Sequence, residues 1–196
     1  LKGENYTLYK ENEEKGDYRV LMWKSTVAAE IQYAFNLNHK DSVLRQIFQD
    51  VRFRQAMSLA INRDEINELA YLGMAVPCQS TVSPECSYYK EEWGKYFAEY
   101  DPDRANGLLD EMGLKWDADH KYRLRPDGKR LSVIIEIVEG LFPAATKVTE
   151  LMKEYWGACG VEVIPQTVQR TLHGTRYAAG ELDVGMWHSD RVEEMR

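Results

Sequence analysis

The side chains best suited to chemistry gather near the end of the chain, in the run Trp187-His188-Ser189-Asp190-Arg191. An indole face covers apolar or sugar surface, and a carboxylate anchors an ammonium group through a charge-assisted hydrogen bond. Together with His188 and Arg191 the run also suits a sugar, which asks for stacking plus bidentate hydrogen bonds. A plainer alternative stands beside this one: Trp187 belongs to the core and Asp190 caps a turn. Trp23 and Asn36, at the ends of predicted strands, are further candidates for ligand contact.

Other reactive types are scattered. Cys78 and Cys86 flank a turn-rich segment with seven residues between them. They are a candidate local disulfide if the compartment is oxidising, or simply two small loop residues. Neither belongs to a C-x-x-C pair and no His lies close in sequence, which disfavours zinc. Cys159 is expected to be buried. His39, His120 and His173 stand apart, with His120 in a loop beside Asp117 and Asp119 that reads as exposed rather than metal-binding. There is no G-x-S-x-G, no Gly-rich phosphate loop and no H-E-x-x-H. Carboxylates are plentiful enough for glycoside hydrolysis, yet nothing singles out a pair. The expectation is therefore a binding protein without a cofactor or metal, not an enzyme.

Composition bounds the setting. In 196 residues, 44% are hydrophobic and 29% charged, enough apolar material for a core and suited to one domain. The formal net charge of −7 leaves no basic face for nucleic acid. No stretch approaches the roughly 18–20 apolar residues that cross a bilayer. No secretory leader opens the chain, which begins at Leu1 rather than Met, so nothing about compartment follows from that end.

These residues must be held by elements, and the periodicity supplies them. Leu1–Asn12 is a candidate helix. Tyr18–Trp23 and Val27–Phe35 read as strands, the second with Ile31, Tyr33 and Phe35 alternating. Phe53, Ala56, Met57 and Ala60 fall at i, i+3, i+4 and i+7, one face of a helix. Asn62 caps a second helix, with Glu65 in the capping-box position, Ile66, Leu69 and Ala70 inward and Gly73 as its stop. Met74–Tyr100 reads as a long aromatic-bearing loop around a short helix at Tyr89–Phe97. Asp101-Pro102 starts a further helix, lined by Ala105, Leu108, Leu109 and Met112 and ended by Gly113. Tyr122–Leu124 and Leu131–Val138 flank the turn Pro126-Asp127-Gly128, and the second arm is apolar enough for a central strand covered on both faces. A helix at Ala144–Trp156, a strand at Val161–Val168, a helix at Arg170–Ala179 and a strand at Leu182–Trp187 complete an α/β layer with a mixed, partly parallel sheet flanked by helices.

In that order the words along the elements resemble the C-terminal lobe of family 5 extracellular solute-binding proteins, the peptide, nickel and oligosaccharide receptors of bacterial ABC importers. The family's hallmark D-V-R-x-R-x-A-x-x-x-A-I-x-R-x-x-I is matched by Asp50, Val51, Arg52, Arg54, Ala56, Ala60, Ile61, Arg63 and Ile66, with Gly73 closing. Tyr100–Gly113 is similar to its Y-D-P-x-x-A-x-x-L-L-x-x-x-G, Trp156–Val163 to its strand-entering G-(I/V)-x-V, and Gly180–Trp187 to its G-x-x-D-x-x-x-x-W. Each word alone is weak, but four in order are specific.

The resemblance implies a type II periplasmic-binding-protein-like fold of two lobes that close on solute like a hinge. Residues 1–196 would be a single ligand-binding lobe, truncated at both ends relative to a full-length receptor. It implies a periplasmic or extracellular location, with a lipid anchor left open, and an ABC permease as the partner that receives the solute. In peptide-binding relatives a Trp-x-x-Asp at the position of Trp187 and Asp190 contributes to the pocket, the Asp pairing with the peptide's α-amino group. Arg191-Val192-Glu193-Glu194 departs from the peptide receptors, where small or Asn/Pro-rich residues follow. An oligopeptide is thus the expected solute, with oligosaccharide and nickel as alternatives. The hallmark itself is expected to build two packed helices, its arginines turned to polar partners or solvent.

Overall fold

A single four-stranded sheet carries the chain, in the order β1-β4-β2-β3, where β1 is Gln32–Phe35, β2 Ser132–Val138, β3 Glu162–Val168 and β4 Val184–Trp187. The computed structural model describes residues 5–22, 29–84 and 86–189. β2 runs parallel to both β3 and β4, and β1 pairs antiparallel with β4. Parallel neighbours need a crossover, and two helices supply it: Ala145–Ala158 between β2 and β3, Arg170–Ala178 between β3 and β4. This is the mixed, partly parallel sheet that the sequence predicts. β2 is interior, so Val133, Ile135, Ile137 and Val138 are all buried. Its one charged member, Glu136, is buried with them.

In chain order the helices are α1 Tyr6–Glu11, α2 Glu13–Gly16, α3 Ser42–Gln49, α4 Val51–Leu59, α5 Arg63–Tyr71, α6 Pro102–Glu111, α7 Ala145–Ala158 and α8 Arg170–Ala178. The hallmark forms α4 and α5. Phe53, Ala56 and Met57 enter the core beside Trp156 of α7, whose indole nitrogen donates to Met57 O at 2.9 Å. Phe35 of β1 closes the cluster, stacked on Trp156 at 5.3 Å and set edge-on to Phe53 at 5.0 Å.

The hallmark arginines find polar partners, and those partners are helix ends. A helix leaves its last carbonyls without an internal donor. Arg54 Nη1 donates to Phe48 O and Gln49 O at the end of α3. Arg63 Nη1 donates to Ser58 O in the last turn of α4 and to Ala98 O. Arg52 reaches Glu111 O at the end of α6 and pairs with Asp50, which caps α4 by accepting from Arg52 N. Three arginines thus close three helices and tie them together.

Several expectations are corrected. Tyr18–Met22 forms no strand. It hangs from α1 and α2 through Tyr18 Oη to Tyr9 O and Val20 N to Glu13 Oε1. With no ladder partner, apolar alternation does not make a strand. The second predicted strand is regular only from Gln32, and Val27 and Ala28 lie outside the described residues. Leu69, expected inward, is 44% exposed, because α5 lies at the periphery and packs inward through Ile66 and Ala70. α3 is a helix the periodicity reading passed over. Asp41 caps it by accepting from Val43 N and Leu44 N, and Leu44, Ile47 and Phe48 are buried at i, i+3 and i+4. Across the turn the expected pair is reduced to an isolated bridge, Leu124 with Arg130, while Arg123 bridges back to Trp116, since β2 takes both its main neighbours from the parallel crossovers. The long loop holds a 3-10 turn at Glu91–Lys95, inside the expected short helix, and leaves Tyr88, Tyr96 and Tyr100 exposed.

Candidate functional site

In open α/β sheets ligands gather beyond the carboxyl ends of the parallel strands, where loops and helix starts converge. Here that rim is made by the ends of β2, β3 and β4, and Trp187 is the last residue of β4. Its side chain is half-buried and held on several sides. The imidazole of His173, from α8, lies nearly parallel to the indole, with planes 6° apart and centroids at 6.1 Å. Phe142, from the β2–α7 connection, meets it edge-on at 5.5 Å and 89°. His188 follows at 5.5 Å and itself contacts Phe142 at 6.0 Å. The chain beyond β4 is fastened to the start of β1: Ser189 N donates to Ala29 O at 2.9 Å, and Ala29 N donates to Ser189 Oγ at 2.6 Å.

Beneath the indole sits a buried charged cluster. Glu136 Oε2 lies 2.9 Å from His173 Nδ1. An ionised carboxylate only accepts, so Nδ1 carries the proton and donates. Arg176 Nη1 stands 2.7 Å from Glu136 Oε1, an ion-pair contact without hydrogen-bond alignment, so Oε1 accepts no hydrogen bond. The Glu136 side chain is 2% exposed and that of His173 8%, while Arg176 is about one-third exposed at 31%. The rim therefore offers a flat aromatic surface, backed by a carboxylate that is matched by an imidazole and a guanidinium.

The structure brings together Trp187 and His188 of the predicted site. Trp23, Asp190 and Arg191 lie outside the described residues. Asn36 lies away from the rim. Antiparallel pairing sets Gln32 against Trp187 and Phe35 against Val184, so Asn36 falls at the far end of the sheet. Its amide donates to Gly180 O and Leu182 O and its Oδ1 accepts from Asn38 N, a fully used turn residue. His39 is likewise structural: Asp41 N donates to Nδ1, which leaves Nε2 to donate to Asp183 Oδ1 at 2.9 Å. His120 stacks on Trp116 at 4.4 Å. Cys78 is half-buried against the 3-10 turn and Cys86 is buried. Cys159 is buried as expected, and burial pushes its thiol up to about 11.

Glu136, His173, Arg176 and Phe142 escaped the sequence reading. A trace of the first was present, since a lone Glu inside an apolar strand must find buried partners. Nothing in sequence pointed from it to His173, 37 residues away.

A four-stranded mixed sheet with helical crossovers and a strand-end rim defines the type II periplasmic-binding-protein class of fold, shared by the solved structures that superpose on it. The chain belongs to the bacterial extracellular solute-binding proteins, family 5 (middle region), which it matches over residues 2–190. Among solved structures, an oligopeptide-binding protein OppA is 46% identical, with a TM-score of 0.88 over 97% of this chain and 30% of that one. The stachyose complex of the periplasmic binding protein MelB from Agrobacterium fabrum C58 shares the fold, with a TM-score of 0.77 at 14% identity over 97% of this chain and 30% of that one. Among curated relatives, the oligopeptide-binding protein OppA of Lactococcus lactis subsp. cremoris (strain SK11) is 30% identical over 162 residues, 79% of this chain and 26% of its own. The heme-binding protein A of Haemophilus influenzae is 26% identical over 145 residues, 73% of this chain and 24% of its own. The chain thus spans about a quarter of the length of the curated relatives it matches.

Proposed function

We propose that this chain is a ligand-binding lobe of an extracytoplasmic receptor, one that captures an oligopeptide-like solute in a cleft between lobes and delivers it to the permease of an ABC importer. The observation that carries the reading is the rim at the end of β4. There a half-buried Trp187 is held by His173 and Phe142 beyond the carboxyl ends of parallel strands. A fixed indole loses little conformational freedom on binding, which favours a recognition surface. The ranking of peptide above sugar rests on the 46% identity to a solved oligopeptide-binding protein. In this reading Asp190, three residues past Trp187, anchors the peptide's amino group, and Arg191 and His188 add polar contacts. The solute leaves unchanged, so the chain is a receptor and no residue is catalytic. It works outside the cytoplasmic membrane, in the periplasm or at the cell surface.

An oligosaccharide is the second reading, favoured by the flat aromatic rim, because sugar rings stack on indole faces. Thermal-shift measurements on the intact receptor separate the two. A panel of di- to oligopeptides is expected to stabilise it, by about 2.7 kcal/mol at a hundredfold excess over Kd, and a panel of oligosaccharides is expected to do nothing. Stabilisation by sugars alone overturns the ranking. Trp187→Ala is expected to weaken binding; unchanged affinity with a lowered melting temperature returns Trp187 to the core.

A further inference from the structure

Glu136 poses a physical question. It is a carboxylate on the interior strand of the sheet, in a run (Val133–Val138) whose other inward members are apolar. Removing a carboxylate from water costs several kcal/mol, and a buried ion pair returns that only with good geometry. The geometry here is partial, because Oε1 has the charge of Arg176 beside it but accepts no hydrogen bond. A hydrophobic residue would serve the core as well. What the carboxylate does supply is direction. Oε2 holds Nδ1 of His173 at 2.9 Å, which orients the imidazole ring. That ring lies 6° from parallel with the indole of Trp187. Through Oε1 the same carboxylate also draws Arg176 inward, one turn further along α8, so the helix bearing His173 is held against β2 at two points.

We propose that Glu136 is the positioning residue of the rim: by way of His173 it holds the Trp187 indole in one orientation. Phe142 sets the indole's edge, His173 supports its face, and Glu136 determines where His173 points. The proposal rests on the reading of Trp187 as a recognition surface, yet its test needs no solute, so the two can fail separately.

The test is fluorine NMR of the intact receptor labelled with 5-fluorotryptophan, the Trp187 resonance being assigned by its loss in Trp187→Phe. The native protein is expected to show one sharp Trp187 line. Glu136→Met, which keeps volume and removes both contacts, is expected to shift and broaden that line, as is His173→Ala. The lines of the other tryptophans, Trp156 included, should stay in place. The double variant should show no loss beyond either single one, the mark of residues acting in series. Glu136→Gln, which still accepts from Nδ1, should restore most of the native line. Should Glu136→Met fail to fold, His173→Ala and Glu136→Gln carry the same test. An unchanged Trp187 line in Glu136→Met or, where that variant does not fold, in His173→Ala overturns the proposal. So does equal movement of all tryptophan lines, which would make Glu136 an ordinary core residue. If the Trp187 line responds as expected but no peptide stabilises the receptor, the positioning stands and the solute reading falls.

Discussion

Arg123 ties α6 to the end of α7 from within the core, and its replacement by Met has a definite expected cost. Arg123 is fully buried. Its Nε donates to Cys159 O beyond the end of α7, Nη1 to Leu114 O, and Nη2 to Asn106 O and Oδ1 in α6. Its plane also lies over Trp116, with the guanidinium carbon 4.7 Å from the ring centroid. The pair with Asp110 adds little, because that carboxylate is 62% exposed and water competes for it. The cost lies in the carbonyls. Arg123→Met keeps most of the volume and leaves Cys159 O and Leu114 O without their donor, at about 1–3 kcal/mol each when buried, while Asn106 O keeps its place in the α6 helix. Relief of the guanidinium's own desolvation offsets part of this. The net expectation is a loss of about 4 kcal/mol, in the range seen when a buried charged contact is broken. In urea, with an m-value of about 2 kcal/mol per molar, the midpoint should fall by about 2 M. A fall under about 0.5 M would falsify the reasoning, since water would then be replacing the guanidinium at both carbonyls.

Two further outcomes follow from the same neighbourhood and from the sheet's far end. Gly160 has φ +81°, and a Cβ there would stand 2.7 Å from Arg123 Cγ, 2.8 Å from Trp116 Cζ3 and 3.0 Å from the Arg123 backbone nitrogen. Gly160→Ala is expected to destabilise by about 2–4 kcal/mol, left-handed backbone and overpacking together, whereas Gly128→Ala, also at positive φ but in open space, should cost only about 1 kcal/mol. Equal losses in a urea melt would sink the steric part. At acid pH the Arg125 guanidinium, with the α3 amides of Leu44 and Val43, holds the Asp41 carboxyl at about 2 against an ordinary 3.8. A lowered folded value stabilises above the unfolded one, so this contribution is whole above about pH 4 and fades as pH falls towards 2. Arg125→Met should flatten that acid limb of stability against pH, and an unaltered limb would mean Asp41 is held by the amides alone.

Much of the fold was legible in the sequence because its causes are local. The helix at Pro102–Glu111 announces itself by Asp101, Pro102 and the spacing of Ala105 and Leu109. The parallel arrangement follows from strands separated by helices of crossover length. The hallmark Asp50–Gly73 forms the two helices expected of it, but the sequence did not say that its arginines end three helices, since Glu111 and Phe48 come near only after packing. Strand pairing was the weak point. YRVLMW has the composition of a strand, yet its described part, Tyr18–Met22, makes none, because it bonds to α1 and α2 and is not carried to a sheet edge.

The recognition rim divides in the same way. Residue types at the chain's end were sufficient to single out Trp187 and His188 as candidates, because an indole followed by polar groups is uncommon and chemically pointed. The packed fold alone placed Phe142 and His173 against that indole and Glu136 behind them. It also removed Asn36 to the opposite end of the sheet. Type and spacing are properties of the chain, readable one residue at a time. Which face supports which ring depends on how β2, β4 and α8 pack, and that comes from contacts dozens of residues apart.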